Sequence, residues 1–131
     1  MAFAIDRMDH VVLNCRDVHA MAAWYARVPG MERVEFGSDQ RLALKFGSQK
    51  INLRPTGPAA DWPTGAVDKP GTLDICFITT SSPQDVVDHL RACGVKITEG
   101  PVQRTGALGA MTSTYCRDPE GNLVEIARYG G

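Results

Sequence analysis

The sequence predicts an α+β fold made of two consecutive βαβββ units, and three observations lead there. His10, in Asp9-His10-Val11-Val12-Leu13, and Asp74, in Leu73-Asp74-Ile75-Cys76-Phe77, occupy the same place in two strand-like runs 64 residues apart. Each run leads into a helical pattern that stops at a glycine, Gly30 and then Gly94, again 64 residues apart. Between the copies, residues 55–70 hold four of the eight prolines (Pro55, Pro58, Pro63 and Pro70) and show no periodicity, which marks a connection.

Taken in order, residues 8–16 alternate loosely and are rich in β-branched side chains, the pattern of a strand. Asp17 suits a helix N-cap, because its side-chain oxygen can accept from the free amides of the first turn. Val18, Met21, Ala22, Tyr25 and Val28 follow at helical spacing, and Pro29-Gly30 stops the helix. Strands are expected near 31–37, 40–46 and 49–54, separated by the turn signals Gly37-Ser38-Asp39 and Gly47-Ser48. The second unit opens with a strand at 72–80. Ser82 then caps, and Pro83 begins, a helix over 83–93 with Val86, Val87 and Leu90 inward. Strands near 96–103, 109–117 and 121–129 complete it. Asn52 and Glu125 stand 73 residues apart, more than the repeat, so Gly106-Ala107-Leu108-Gly109 is expected to absorb most of the excess as a loop over the site. Residues 1–131 are expected to form one domain, with modules 6–54 and 71–129 joined by the irregular 55–70.

Composition narrows the function classes. A formal charge of −1 supplies no basic field for nucleic acid, and no Lys/Arg run suits an anionic membrane surface. No apolar run approaches the roughly 20 residues that cross a bilayer, and the start Met-Ala-Phe-Ala-Ile-Asp lacks the cationic and apolar regions of an export signal. A cytoplasmic protein acting on a small molecule is expected. Cys15, Cys76, Cys93 and Cys116 show no C-x-x-C spacing and fall in strand or helix patterns, so buried free thiols are expected.

The candidate site residues are oxygen and nitrogen donors on strands. His10 and Asp74 are equivalent in the repeat, and Glu125 closes the last strand in Asp118-Pro119-Glu120-Gly121-Asn122-Leu123-Val124-Glu125. Together they suggest a metal-centred cavity. Asp74 lies between apolar neighbours in a strand expected to be buried, where an unpaired carboxylate costs several kcal/mol, so it needs a metal or an arginine partner. Alternation places Lys50, Asn52 and Arg54 on one face of their strand, and the two cations suit an anionic substrate held by charge-assisted hydrogen bonds. Arg104 is a second anion-binding candidate. Tyr115 shares a face with Met111 and Ser113 and could donate its hydroxyl to a bound oxygen. His19 and His89 fall on the helices, away from these strands. No dinucleotide-binding, Walker, nucleophile-elbow or H-E-x-x-H motif is present.

Paired βαβββ modules, a histidine in the first strand and the closing Asp-Pro-Glu-Gly-Asn-Leu-Val-Glu resemble the vicinal oxygen chelate superfamily of glyoxalases, bleomycin-binding proteins and extradiol dioxygenases. Within it, Phe46-Gly47-Ser48-Gln49-Lys50-Ile51-Asn52-Leu53 and Glu99-Gly100-Pro101-Val102-Gln103-Arg104-Thr105-Gly106-Ala107 are similar to the glyoxalase-domain-containing protein 5 group and its bacterial virulence-associated relatives. The resemblance implies incomplete, curved half-barrels that cup a cavity, often in a homodimer. It also implies metal ligands at His10, Asn52, Asp74 and Glu125, with Glu125 shuttling a proton. Asn52 and Asp74 depart from the commoner Glu or Gln and His, giving an oxygen-rich set that suits Mn²⁺, Mg²⁺, Fe²⁺ or Ni²⁺ better than a tight structural Zn²⁺ site. A glyoxalase-like lyase or isomerase is the leading expectation. The alternatives are a metal-free protein that binds an antibiotic or metabolite, and an Fe(II) extradiol-type dioxygenase.

Overall fold

The computed structural model describes residues 2–57 and 62–130; residues 58–61 of the expected connection, Pro58 included, lie outside the described residues. The chain divides into two units, Met1–Asp68 and Lys69–Gly131. Each is a four-stranded mixed sheet with one helix.

In the first unit β1 (His10–Cys15) leads into α1 (Val18–Arg27), then β2 (Glu32–Phe36), β3 (Arg41–Phe46) and β4 (Gln49–Pro55). The sheet order is β1-β4-β3-β2, with β1 and β4 parallel and the other pairs antiparallel. Asp17 caps α1, accepting from the Ala20 amide at 3.0 Å. The helix buries Met21, Ala22, Trp24 and Tyr25 and packs on β2, β3 and β4. Leu42, Leu44, Ile51 and Leu53 are buried on the sheet, and each such side chain removed from water contributes about 1.5–3 kcal/mol. By the two-residue period of a strand, the other face carries His10, Val12 and Asn14 beside Lys50, Asn52 and Arg54, paired in that order.

The second unit repeats the plan: β5 (Asp74–Ile78), α2 (Pro83–Ala92), β6 (Glu99–Gly106), β7 (Gly109–Arg117) and β8 (Leu123–Tyr129). Its order is β5-β8-β7-β6, with β5 and β8 parallel. Ser82 accepts from the Asp85 amide at 3.1 Å, Pro83 stands in the first turn, and α2 packs on β7 and β8 through Val87 and Leu90. Val86, also expected inward, is not in the buried core.

The excess length of the second unit is not a loop at 106–109. Gly106 pairs with Gly109 across a tight two-residue turn, and the added residues lengthen the strands. β6 and β7 have eight and nine residues where β2 and β3 have five and six. Paired backbone satisfies its own hydrogen bonds, which an irregular insertion of that length would not. The register of β6 shifts between Glu99 and Val102, at Gly100 with φ +102°, where any side chain would run into the Ser113 carbonyl. That shift brings Glu99 opposite Tyr115.

The turn before β8 explains most of the Asp-Pro-Glu-Gly-Asn sequence. Asp118 Oδ1 accepts from the Glu120 and Asn122 amides, both at 3.0 Å, and its Oδ2 accepts from Asn122 Nδ2 at 2.8 Å. The Oδ1 of Asn122, a fully buried residue, accepts from the Leu73 amide at 2.9 Å. One side chain therefore ties the start of β5 to the start of β8 and fixes their parallel register. Asn122→Ala strands the Leu73 N–H and one Asp118 oxygen, so it should lower unfolding free energy by about 2–4 kcal/mol in urea denaturation at an unchanged slope.

Candidate functional site

The second unit holds a cleft of about 430 Å³ lined by Asp74, Thr98, Glu99, Arg104, Tyr115, Leu123 and Glu125. Four of the sequence-derived candidates, Asp74, Arg104, Tyr115 and Glu125, thus meet in one place. Their convergence follows from strand register: Tyr115 lies opposite Glu125, Glu125 lies opposite Cys76, and Asp74 precedes Cys76 by two residues on the same face.

Glu125 is held by a buried hydroxyl. Ser113, fully buried, donates from Oγ to Glu125 Oε2 at 2.5 Å, and the Tyr115 side chain stands beside this carboxylate, near enough for its charge to raise the phenol pKa. Arg104 Nε donates to the Tyr115 hydroxyl at 3.1 Å, Nη1 donates to the Gln103 carbonyl at 3.0 Å, and Nη2 forms an ion pair with Glu99. A chain of polar contacts therefore runs from Glu99 through Arg104 and Tyr115 to Glu125. Burial raises the Tyr115 hydroxyl pKa, the Arg104 bond opposes this, and Glu125 adds to it, so the phenol stays a donor through neutral pH.

Asp74 is exposed on the cleft wall, and among the described residues no cation pairs with it. The expected buried position is corrected: β5 is the terminal strand of its sheet, and this face of it carries no helix. Cys76 and Cys93 are likewise not buried, while Cys15 and Cys116 are, and all four are free thiols. Cys76 keeps some solvent contact. Even so, the crowding around its sulfur and then the neighbouring Glu125 push the thiol up to about 11.

In the first unit the candidates take several kinds of environment. His10 is partly exposed, and its Nδ1 lies 2.9 Å from the Asp9 carboxylate. The contact holds the Asp9 carboxyl below its ordinary range. In the neutral ring it favours the proton on Nδ1 and leaves the Nε2 lone pair for another partner. Asn52 Oδ1 is buried and, among the described residues, has no hydrogen-bond partner, the kind of acceptor that a donor or cation would satisfy. Lys50 Nζ lies 3.9 Å over the Phe36 ring. Arg54 is almost fully buried: it donates to the Trp62 carbonyl at 3.2 and 3.0 Å and to Asn14 Oδ1 at 3.0 Å, and lies 3.6 Å from Asp68. These bonds anchor the connection to β4, a task its alternation alone does not reveal.

Sequence reasoning passed over Ser113, Glu99 and Thr98. Ser113 shares a strand face with Tyr115, and that was the available signal; its contact with Glu125 appears only once the pairing of β7 with β8 is known. Glu99 enters the cleft because of the register shift beside Gly100, which has no signature of its own.

Across His10, Asn52, Asp74 and Glu125 the donor chemistry suits a hard or borderline divalent ion. Among the described residues no three His, Cys, Asp or Glu side chains gather around one point.

Two βαβββ units, each with polar residues on the sheet face away from its helix, are the repeated plan of the chain. The chain belongs to the Glyoxalase/Bleomycin resistance protein/Dioxygenase superfamily, whose profile matches residues 7–126. It is 46% identical over 129 residues to Virulence protein STM3117 of Salmonella typhimurium, covering 95% of this chain and 85% of that protein. It is 43% identical over 126 residues to Glyoxalase domain-containing protein RDO1 of Mycosarcoma maydis, covering 96% and 70%. An integron cassette protein from the mobile metagenome of V. cholerae has the same fold, with a TM-score of 0.94 at 44% identity over 99% of this chain and 100% of that one.

The environment of Cys76 is directly measurable. With its thiol near 11, against 9.0 for an unperturbed group, Cys76 in chelator-treated protein should alkylate at pH 8 roughly a hundredfold more slowly than free cysteine. Because Glu125 raises that pKa, Glu125→Gln should speed the reaction when it is followed by peptide mass spectrometry.

Proposed function

We propose that this protein is a divalent-metal-dependent, glyoxalase-like enzyme of the lyase or isomerase type, acting on a small anionic substrate with two adjacent oxygens. The observation that carries the reading is Glu125, held between Ser113 and Tyr115 on the wall of a cleft large enough for a metabolite. We assign His10, Asp74 and Glu125, with Asn52 as an amide ligand, to the ion. His10 is supported by the Asp9 contact that leaves Nε2 available, and Asn52 by its orphaned oxygen. When bound, a divalent ion supplies Lewis-acid stabilisation of negative charge on the substrate oxygens. The similarity to the fungal glyoxalase-domain and bacterial virulence proteins supports placing the chain in the glyoxalase-domain-containing protein 5 group.

The remaining chemistry belongs to the chain's own groups. Glu125 accepts a proton from carbon beside the substrate carbonyl and returns it, while Ser113 keeps its carboxylate oriented. Arg104 presents its guanidinium at the cleft for the substrate's anionic group, with Tyr115 as the second donor; Lys50 is the further cation assigned to the approach. Arg54, bound to the Trp62 carbonyl and Asn14, holds the connection against β4 within the first unit. We also propose a homodimer, since among the described residues each sheet ends in open edge strands and one face carries no helix.

Elemental analysis of protein purified without added ions tests the metal assignment. Near-stoichiometric Mn, Fe, Ni, Mg or Zn is expected, and His10→Ala should abolish it; full metal content in that variant would overturn the ligand set, and metal-free wild-type protein would favour a simple binding protein. Because no cation pairs with Asp74, Asp74→His should change stability by no more than about 0.5 kcal/mol while preserving or tightening metal binding. Ser113→Ala, which removes the hydroxyl behind Glu125, should weaken metal affinity or turnover by about tenfold with the fold retained by circular dichroism.

A further inference from the structure

The segment before β1 carries a concentration of exposed apolar surface that nothing in the proposed chemistry uses. Phe3, Ile5 and Met8 are 87%, 77% and 66% exposed, and with Val67, Ile78 and Leu108 they make up the large apolar side chains left open among the described residues. Half of that set therefore lies within six consecutive positions, in a stretch that is neither helix nor strand. We infer that residues 2–9 form a docking arm that seats on a second copy of this chain, an inference that rests on the homodimer proposed above.

Three observations favour a second copy as the occupant. The three side chains expose roughly 400 Å² in all, about half of the ~800 Å² per partner that a standard interface removes from water. A two-fold contact uses the same patch on both subunits, so that area is contributed twice. The arm is also self-complementary in charge: Arg7 stands between Asp6 and Asp9, and the Arg7–Asp6 pair is largely exposed, so each arm's cation can reach the other's carboxylates. Finally, the arm runs directly into β1, the terminal strand of its sheet, whose outer edge has no strand beside it among the described residues. An unpaired edge next to an apolar arm suits continued strand pairing between two copies.

Sedimentation velocity at micromolar concentration tests this with the full chain, comparing wild type with Phe3→Ser, with the triple variant Phe3→Ser/Ile5→Ser/Met8→Ser and with Arg7→Glu. The expected result is a wild-type dimer, dissociation at least about tenfold easier in the triple variant, and a smaller weakening in the other two. Near-UV circular dichroism checks that the fold is kept; should the triple variant unfold, Phe3→Ser decides, since Phe3 is the most exposed of the three. A wild-type dimer whose dissociation is unchanged in the arm variants would overturn the arm while leaving the homodimer standing. A wild-type monomer would overturn both. Binding of wild type to phosphatidylcholine/phosphatidylglycerol vesicles, lost in the triple variant while the dimer is unchanged, would assign the arm to a lipid surface and overturn the proposal.

Discussion

The parallel pairing of the first and last strand of each unit is the contact on which the rest of the structure depends. Parallel neighbours cannot be joined by a tight turn; the chain must leave the sheet and return, and here it uses a helix and two strands to do so. The last strand consequently lies between the first and third strands and is hydrogen-bonded on both sides. That position gives Glu125 its surroundings: Cys76 from the strand that opens the unit and Tyr115 from the strand before it. In the second unit a single buried side chain, Asn122, fixes the register of this pairing by joining Leu73 to Asp118.

Because strand side chains alternate, the same pairing produces two unlike faces. One accepts the helix and is apolar, as Leu42, Leu44, Ile51 and Leu53 show in the first unit. The other is uncovered by the helix and is where polar groups are tolerated. Polar residues there must still find partners, and most do: Glu125 with Ser113, Arg104 with Glu99 and Tyr115, Arg54 with the Trp62 carbonyl. Among the described residues Asn52 Oδ1 does not, which sets it apart from its neighbours. A buried acceptor left without a donor costs on the order of 1–3 kcal/mol, so its retention agrees with a binding role.

The sheet plan was legible because it is local chemistry repeated. Asp17 and Ser82 cap the helices the sequence assigns to them, Pro83 begins the second helix, and the turns at 37–40 and 47–48 separate strands close to where the glycines place them. The candidate site was legible in part. Asp74, Arg104, Tyr115 and Glu125 share a cleft; the repeat and the family likeness pointed to Asp74 and Glu125, strand alternation to Tyr115, and the place beside Gly106 to Arg104. Arg54 shows the limit of that reasoning: alternation gives the face of a strand but not what the neighbouring segment lays across it.

The sequence by itself determined the two-unit α+β plan, the element order, the helix caps and the faces on which the polar strand residues stand, because each depends on propensity and period over a few residues. Tertiary structure decided what those residues meet. The bond from Ser113 to Glu125 requires the register of β7 against β8. The entry of Glu99 into the cleft requires the ladder to shift beside Gly100, and the exposure of Asp74 requires β5 to be an edge strand with one uncovered face. Such contacts join positions far apart in the chain, and no local pattern specifies them, since they exist only when strands are paired in one register and not another.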